Sequence, residues 1–144
     1  MNAPLYNERI LRLATEVPDR RLDAPMGVGE RKSAVCGSRV TVEVNLRADG
    51  RVREIGMQLS ACALGQASAA LLAGHGVGRS VEELTVARDA LAAWLAGEGA
   101  MPDWPGIDVF IPALPHHARH AAIRLAFEAA AEAVEAALRA REGD

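Results

Sequence analysis

The chain has 144 residues, of which 50% are apolar and 24% charged, the size and composition of one folded domain spanning 1–144 and not of a disordered tail. A net charge of −3 and an aromatic share of 3% leave little to neutralise phosphates or stack on bases, so a nucleic-acid module is not expected. The start lacks a basic-then-apolar leader, and the most apolar stretch, 61–78, is interrupted by Gln66, Ser68 and His75, so neither a signal peptide nor a membrane span is expected and the expected location is the cytoplasm.

Tyr6, Ile10, Leu13 and Val17 recur at helical spacing, and Pro18 ends that helix. Residues 19–29, with Pro25, Gly27 and Gly29, read as a loop, followed by a short edge strand over 28–33. Val40, Val42, Val44 and Leu46 alternate with Arg39, Thr41, Glu43 and Asn45, the pattern of a half-buried strand. Ala48-Asp49-Gly50 is a hairpin turn, and Val52, Ile55, Met57 and Leu59 belong to the returning strand. The change from even to odd positions between Val52 and Ile55 predicts a one-residue bulge near Arg53 or Glu54.

That register places the two cysteines. In a hairpin centred on Asp49, paired residue numbers add to about 98, or about 99 beyond the bulge. Cys36 and Cys62 satisfy that sum, so they are expected at the open end of the hairpin, opposite or one step diagonal. Opposed antiparallel residues have α-carbons about 4.5–5.5 Å apart, within reach of one metal ion.

Beyond Cys62 the period becomes helical over 64–73, ending at Gly74. Ser80 with Glu83 forms a capping box that opens a helix to Leu95. A loop with Pro102 and Pro105 follows, then a short extended run over 108–114. The last helix runs over 116–141, burying Ile123, Phe127, Ala130, Val134 and Leu138 and turning Arg124, Glu128, Glu135 and Arg139 to water. Trp94 and Phe127 read as packing residues and His75 as a helix-terminal one. The order of elements predicts an α+β domain, a small antiparallel sheet with helices packed on one side.

Two cysteines do not make a disulfide framework; in a reducing compartment they point to metal binding, catalysis or simple packing. Cys62 follows a strand and opens a helix, where free amides and the helix dipole favour the metal-binding, nucleophilic form of a thiol. Cys36 lies in a loop, Ala34 to Ser38, where Gly37 lets the backbone approach a ligand. His116, His117 and His120 gather at the start of the last helix, and imidazole is a common zinc and iron ligand. His120, four residues before Arg124, shares that helix's polar face, so a solvated histidine is the plain alternative. No phosphate loop, nucleophile elbow or paired-carboxylate signature is present.

These segments resemble a known family. Ala34-Val35-Cys36-Gly37-Ser38-Arg39-Val40 is similar to the P-x-C-G-D-x-V segment of the NifU/IscU/SufU iron–sulfur scaffold family, and Ser60-Ala61-Cys62-Ala63-Leu64-Gly65-Gln66-Ala67-Ser68 to its G-C-A-I-S-x-A-S segment. Leu5-Tyr6 with Ile10-Leu11, and Ala118-Arg119 with Leu125-Ala126-Phe127, also match, the latter resembling A-R-x-x-C-x-x-L-A-W. Ser38 stands where the family has aspartate, Ala122 where it has a third cysteine, and Leu114-Pro115-His116-His117 where it has a chaperone-docking Leu-Pro-Pro-Val-Lys.

The resemblance implies an IscU-like fold and a scaffold or carrier of iron or an iron–sulfur cluster, a binding protein more than an enzyme. Its ligands would be Cys36 and Cys62, with His120 as the third. The implied partners are a cysteine desulfurase and cluster-accepting proteins. Two other readings stand beside it: a zinc-dependent, SufU-like sulfur acceptor that takes a persulfide on Cys62, and a descendant that has lost its metal site and keeps a protein-binding surface.

Overall fold

A computed structural model describes residues 5–34 and 37–143. Helix α1, Glu8–Ala14, is capped by Asn7, whose side chain accepts from the Ile10 N–H. Three antiparallel strands follow, β1 Gly27–Lys32, β2 Arg39–Leu46 and β3 Val52–Ser60, in the order β1-β2-β3. Helices α2 Ala63–Gly76, α3 Val81–Leu95 and α4 His120–Glu142 complete the fold, with a 3₁₀ helix, Ile107–Ala113, between α3 and α4. Helix α4 lies across β1 and β2 and receives α2 and α3 on its other sides. The expected α+β arrangement is the observed one.

The hairpin keeps its expected register. Pairing runs from Arg39 opposite Ser60 to Asn45 opposite Glu54, then shifts to Leu46 opposite Val52, leaving Arg53 as the extra residue of a bulge. Gly50 takes the left-handed conformation (φ 86°) that a three-residue hairpin loop requires. Val40, Val42, Val44 and Met57 point inward and are fully covered by the helices.

Strand β2 is not half-buried, as its alternation suggests. Thr41, Glu43 and Asn45 on the outer face are also buried. The cover is the segment after α1, which reads as a plain loop. It bonds to β3 through Met57 N–H and the Arg20 carbonyl at 2.8 Å, then folds over Gly56, where a side chain would meet Leu22 Cγ at 2.8 Å. Arg21 donates to Glu43 Oε2 from Nη2 at 2.6 Å and Nε at 3.0 Å, and the Leu22 N–H donates to Oε1 at 2.8 Å. Alternation cannot reveal such a cover, because polar groups that will be paired by a strap read as polar groups facing water.

Two further expectations change. Ile107–Ala113 form a 3₁₀ helix, entered through Gly106 in the left-handed region (φ 83°), and not the extended run expected over 108–114. Ile107, Phe110 and Ala113 are buried at intervals of three, one ridge of such a helix, with Val109 buried beside them. Helix α2 passes through Gly74 to Gly76, and α4 begins at His120 after a 3₁₀ turn at His117–Arg119.

The core is built from small and aliphatic side chains with four buried aromatics, Trp94, Trp104, Phe110 and Phe127. Trp104 donates Nε1–H to the Leu71 carbonyl at 3.0 Å and meets Phe127 edge-on at 5.1 Å, with Arg79 stacked 4.4 Å above its ring. The capping box of α3 is present as expected, Ser80 Oγ accepting from Glu83 N–H and the Glu83 carboxylate accepting from Ser80 N–H. Ser80→Ala removes one of the two bonds and is expected to cost about 1 kcal/mol in a urea melt.

Candidate metal or cluster site

Cys62 is the N-cap of α2, two residues beyond the last residue of β3. It is a half-buried free thiol whose side chain makes no capping bond, and its carbonyl accepts from Gln66 N–H at 2.9 Å. The sulfur therefore sits where a strand hands over to a helix, beside the positive end of that helix, which favours negatively charged cargo. Cys36 lies outside the described residues, so its expected place opposite Cys62 does too. On either side of it the loop is tight: Ser33 N–H donates to the Ser38 carbonyl at 2.8 Å and Gly37 N–H to the Ser33 carbonyl at 2.9 Å.

Ala122 faces the same helix end. A side chain at Gly65 would meet Ala61 Cβ at 2.9 Å, Ala122 O at 3.3 Å and Ala122 Cβ at 3.8 Å. Helix α4 is thus seated on the first turn of α2 with Ala122 buried between them, and Ser68 Oγ ties the next turn to the Ile123 carbonyl at 2.6 Å. The position where the resemblance places a third cysteine is directed at the turn that Cys62 caps.

His120 is buried, not solvated on the polar face of α4. Its Nε2 lies 3.0 Å from the Ala113 carbonyl oxygen. A carbonyl can only accept, so Nε2 carries the proton and, in the neutral ring, Nδ1 carries the lone pair. The hollow it lines holds His117, Ala118, Ala121, Arg124 and Ala96, and among the described residues Cys62 is not part of that lining. The His117 and His120 rings stand 5.1 Å apart. Among the described residues no three His, Cys, Asp or Glu side chains converge where they could hold a metal ion.

At the end of the sheet nearest Cys62, a hollow of about 590 Å³ is walled by Lys32, Ser33, Ala34, Gly37, Ser38, Arg39 and Ser60. The sequence reading did not single out Lys32, Arg39 or Ser60. The signal was in the register, since Lys32, Arg39 and Ser60 are successive partners across the three strands.

The chain superposes on a nitrogen-fixing NifU-like protein (N-terminal) from Brucella abortus with a TM-score of 0.86, at 36% identity over 94% of this chain and 95% of that one. It belongs to the NifU-like family. A candidate SUF-system iron–sulfur cluster assembly scaffold from Fervidobacterium islandicum AW-1 shares the fold, with a TM-score of 0.82, 18% identity and coverage of 90% of this chain and 96% of that one. No protein-family model matches the chain, and no curated protein does. The family resemblance carried by the segments around Cys36 and Cys62 is thereby shown. Among the described residues no helix is long and apolar enough to cross a membrane.

Proposed function

We propose that this NifU-like chain is a cytoplasmic scaffold or carrier on which an iron–sulfur cluster is assembled, with sulfur supplied by a cysteine desulfurase and the cluster passed to acceptor proteins. Cys36 and Cys62 hold the iron, and His120 is the third donor. The observation that carries this reading is the position of Cys62, a half-buried thiol at the N-cap of α2 just past a strand whose register predicts Cys36 on the opposite side. The cluster is cargo here, and thiolates with a nearby helix N-terminus suit anionic iron–sulfide. His120 enters through Nδ1, because its Nε2–H is held by the Ala113 carbonyl, the kind of second bond that orients a metal-binding imidazole.

The test is iron and acid-labile sulfide content after anaerobic reconstitution with iron and a sulfur donor. Matched iron and sulfide are expected in the parent protein, with near-complete loss in Cys36→Ala and Cys62→Ala and partial loss in His120→Ala. Unchanged iron in Cys36→Ala overturns the ligand assignment, and unchanged iron in His120→Ala removes that residue alone. Zinc without sulfide supports instead a sulfur acceptor that carries a persulfide on Cys62.

A further inference from the structure

We infer that the groove between α3 and the segment leading into the 3₁₀ helix docks a cationic, aliphatic segment of a partner protein, its aliphatic side chain between Val86 and Trp104 and its lysine or arginine between Glu82 and Asp103. Neither Cys62 nor His120 lines this groove, which therefore serves or fails independently of the scaffold reading. One wall is a ridge of α3, where Glu82, Val86 and Ala90 follow at four-residue intervals. Val86 is left 66% exposed there. The other wall is Pro102 to Trp104, and the exposed Met101 just before it extends the apolar surface. An exposed valine alone means little, but one that lines a hollow opposite a tryptophan marks a surface suited to binding.

That second wall is already rigid. The Trp104 indole N–H is held by the Leu71 carbonyl at 3.0 Å, and its ring is braced by Phe127 and Arg79. The loop before it is closed onto α3 by the Glu98 N–H and the Ala93 carbonyl at 2.8 Å. A socket fixed in advance loses little freedom when it is filled. Its volume of about 280 Å³ falls below the roughly 300–1,000 Å³ of a small-molecule site, so it suits one or two anchoring side chains and not a whole cofactor.

The charge of the groove selects the occupant. Three carboxylates and one guanidinium line it. The guanidinium, Arg79, is engaged by the Trp104 ring, the His75 carbonyl at 2.9 Å and Glu83 at 3.4 Å, and Glu83 is also held by Arg51 at 2.7 Å. Glu82 and Asp103 are exposed and make no ion pair among the described residues. Two unpaired carboxylates beside an apolar floor complement a cation carried close to an aliphatic side chain, and they repel an acidic segment. A second copy of this chain is the poorer occupant. Its exposed Leu11 has arginines beside it, but Arg9 and Arg12 are already paired with Asp108 and Glu8.

The experiment titrates the full chain with fluorescein-labelled peptides in which leucine or isoleucine lies one to four positions from lysine or arginine. Versions with glutamate for each cation, or serine for each aliphatic residue, are titrated beside them. Anisotropy and the indole N–H resonance of Trp104 are the readouts. The cationic, aliphatic peptides should bind and displace that resonance, and both altered versions should bind roughly fivefold more weakly or less well still. Glu82→Gln/Asp103→Asn should weaken binding roughly three- to tenfold, the loss of two exposed ion pairs, and remove most of its salt dependence. Val86→Ser should weaken it roughly fivefold, and neither variant should shift the thermal melt. No binding by any of the peptides overturns the inference, as does equal binding of the glutamate or serine versions. Binding that leaves the Trp104 resonance in place and is indifferent to both variants also overturns it, marking a site elsewhere on the chain. A dimer in sedimentation equilibrium that Val86→Ser dissociates overturns it in favour of a second copy.

Discussion

Gly29→Val is expected to lower the unfolding free energy by about 3 kcal/mol or more, read as a shifted urea midpoint, because the clash is with backbone and not with a movable side chain. Strand β1 lies directly on α4. A Cβ at Gly29 would overlap the Ala129 carbonyl oxygen and come within 2.8 Å of Ala133 N, and one at Gly27 would lie 2.6 Å from Ala137 N. Neither helix atom can turn away without breaking the α4 ladder, so the strand must leave the helix. Gly74→Ala is the internal comparison. Gly74 sits inside α2 with nothing within 4 Å of an added Cβ. There alanine should stabilise by about 0.5–1 kcal/mol, since glycine is the poorer helix former. If both substitutions shift the midpoint in the same direction, the close seating of β1 on α4 is wrong.

Arg21→Ala is expected to lower the urea midpoint at neutral pH, by less than the loss of a fully buried pair because the Arg21 side chain is 56% exposed. The cost arises at the other partner. Glu43 has only 2% of its side chain exposed, and without Arg21 its carboxylate keeps the Leu22 N–H alone. Desolvation pushes the Glu43 carboxyl upward, but the hydrogen bonds from Arg21 and Leu22, with the Arg21 charge, outweigh it and hold the group below the ordinary carboxylate range. A folded-state value below the unfolded one, about 4.3, gives stability that is complete above that pH and lost as pH falls through the folded value. The gap between parent and Arg21→Ala should therefore be widest near neutrality and narrow below about pH 4. Glu43→Gln, which keeps an acceptor for Leu22 N–H, should remove this pH dependence at a cost of about 1–2 kcal/mol. A gap that stays constant from pH 7 to pH 3 rules out Glu43 as its source.

Much of the fold is legible in the residues because alternation, a turn glycine and a capping box are local signals. They place the hairpin, a bulge near Arg53 or Glu54 (observed at Arg53) and the start of α3 correctly. What is not legible depends on cover arriving from elsewhere. Thr41, Glu43 and Asn45 look solvent-facing until the segment around Arg21 is laid over them. His120 looks like a polar-face residue until the 3₁₀ helix brings the Ala113 carbonyl to its ring. The site divides in the same way. Cys62 at the head of a helix could be read from the change of period after β3, whereas the row of Lys32, Arg39 and Ser60 required the register of all three strands together.

The seam between β1 and α4 has a consequence in conformational entropy. Gly27 and Gly29 meet Ala129, Ala133 and Ala137, residues with no rotamers to lose on folding. Apart from Glu132, which pairs with Arg31 across the seam at 3.0 Å, the two backbones meet without freezing long side chains, so most dispersion contacts there come free of that penalty. The same feature removes tolerance. A Leu-rich interface can absorb a methylene by shifting rotamers, but this one has no torsion angle to adjust, so substitutions at these five positions should be restricted by size far more than by polarity.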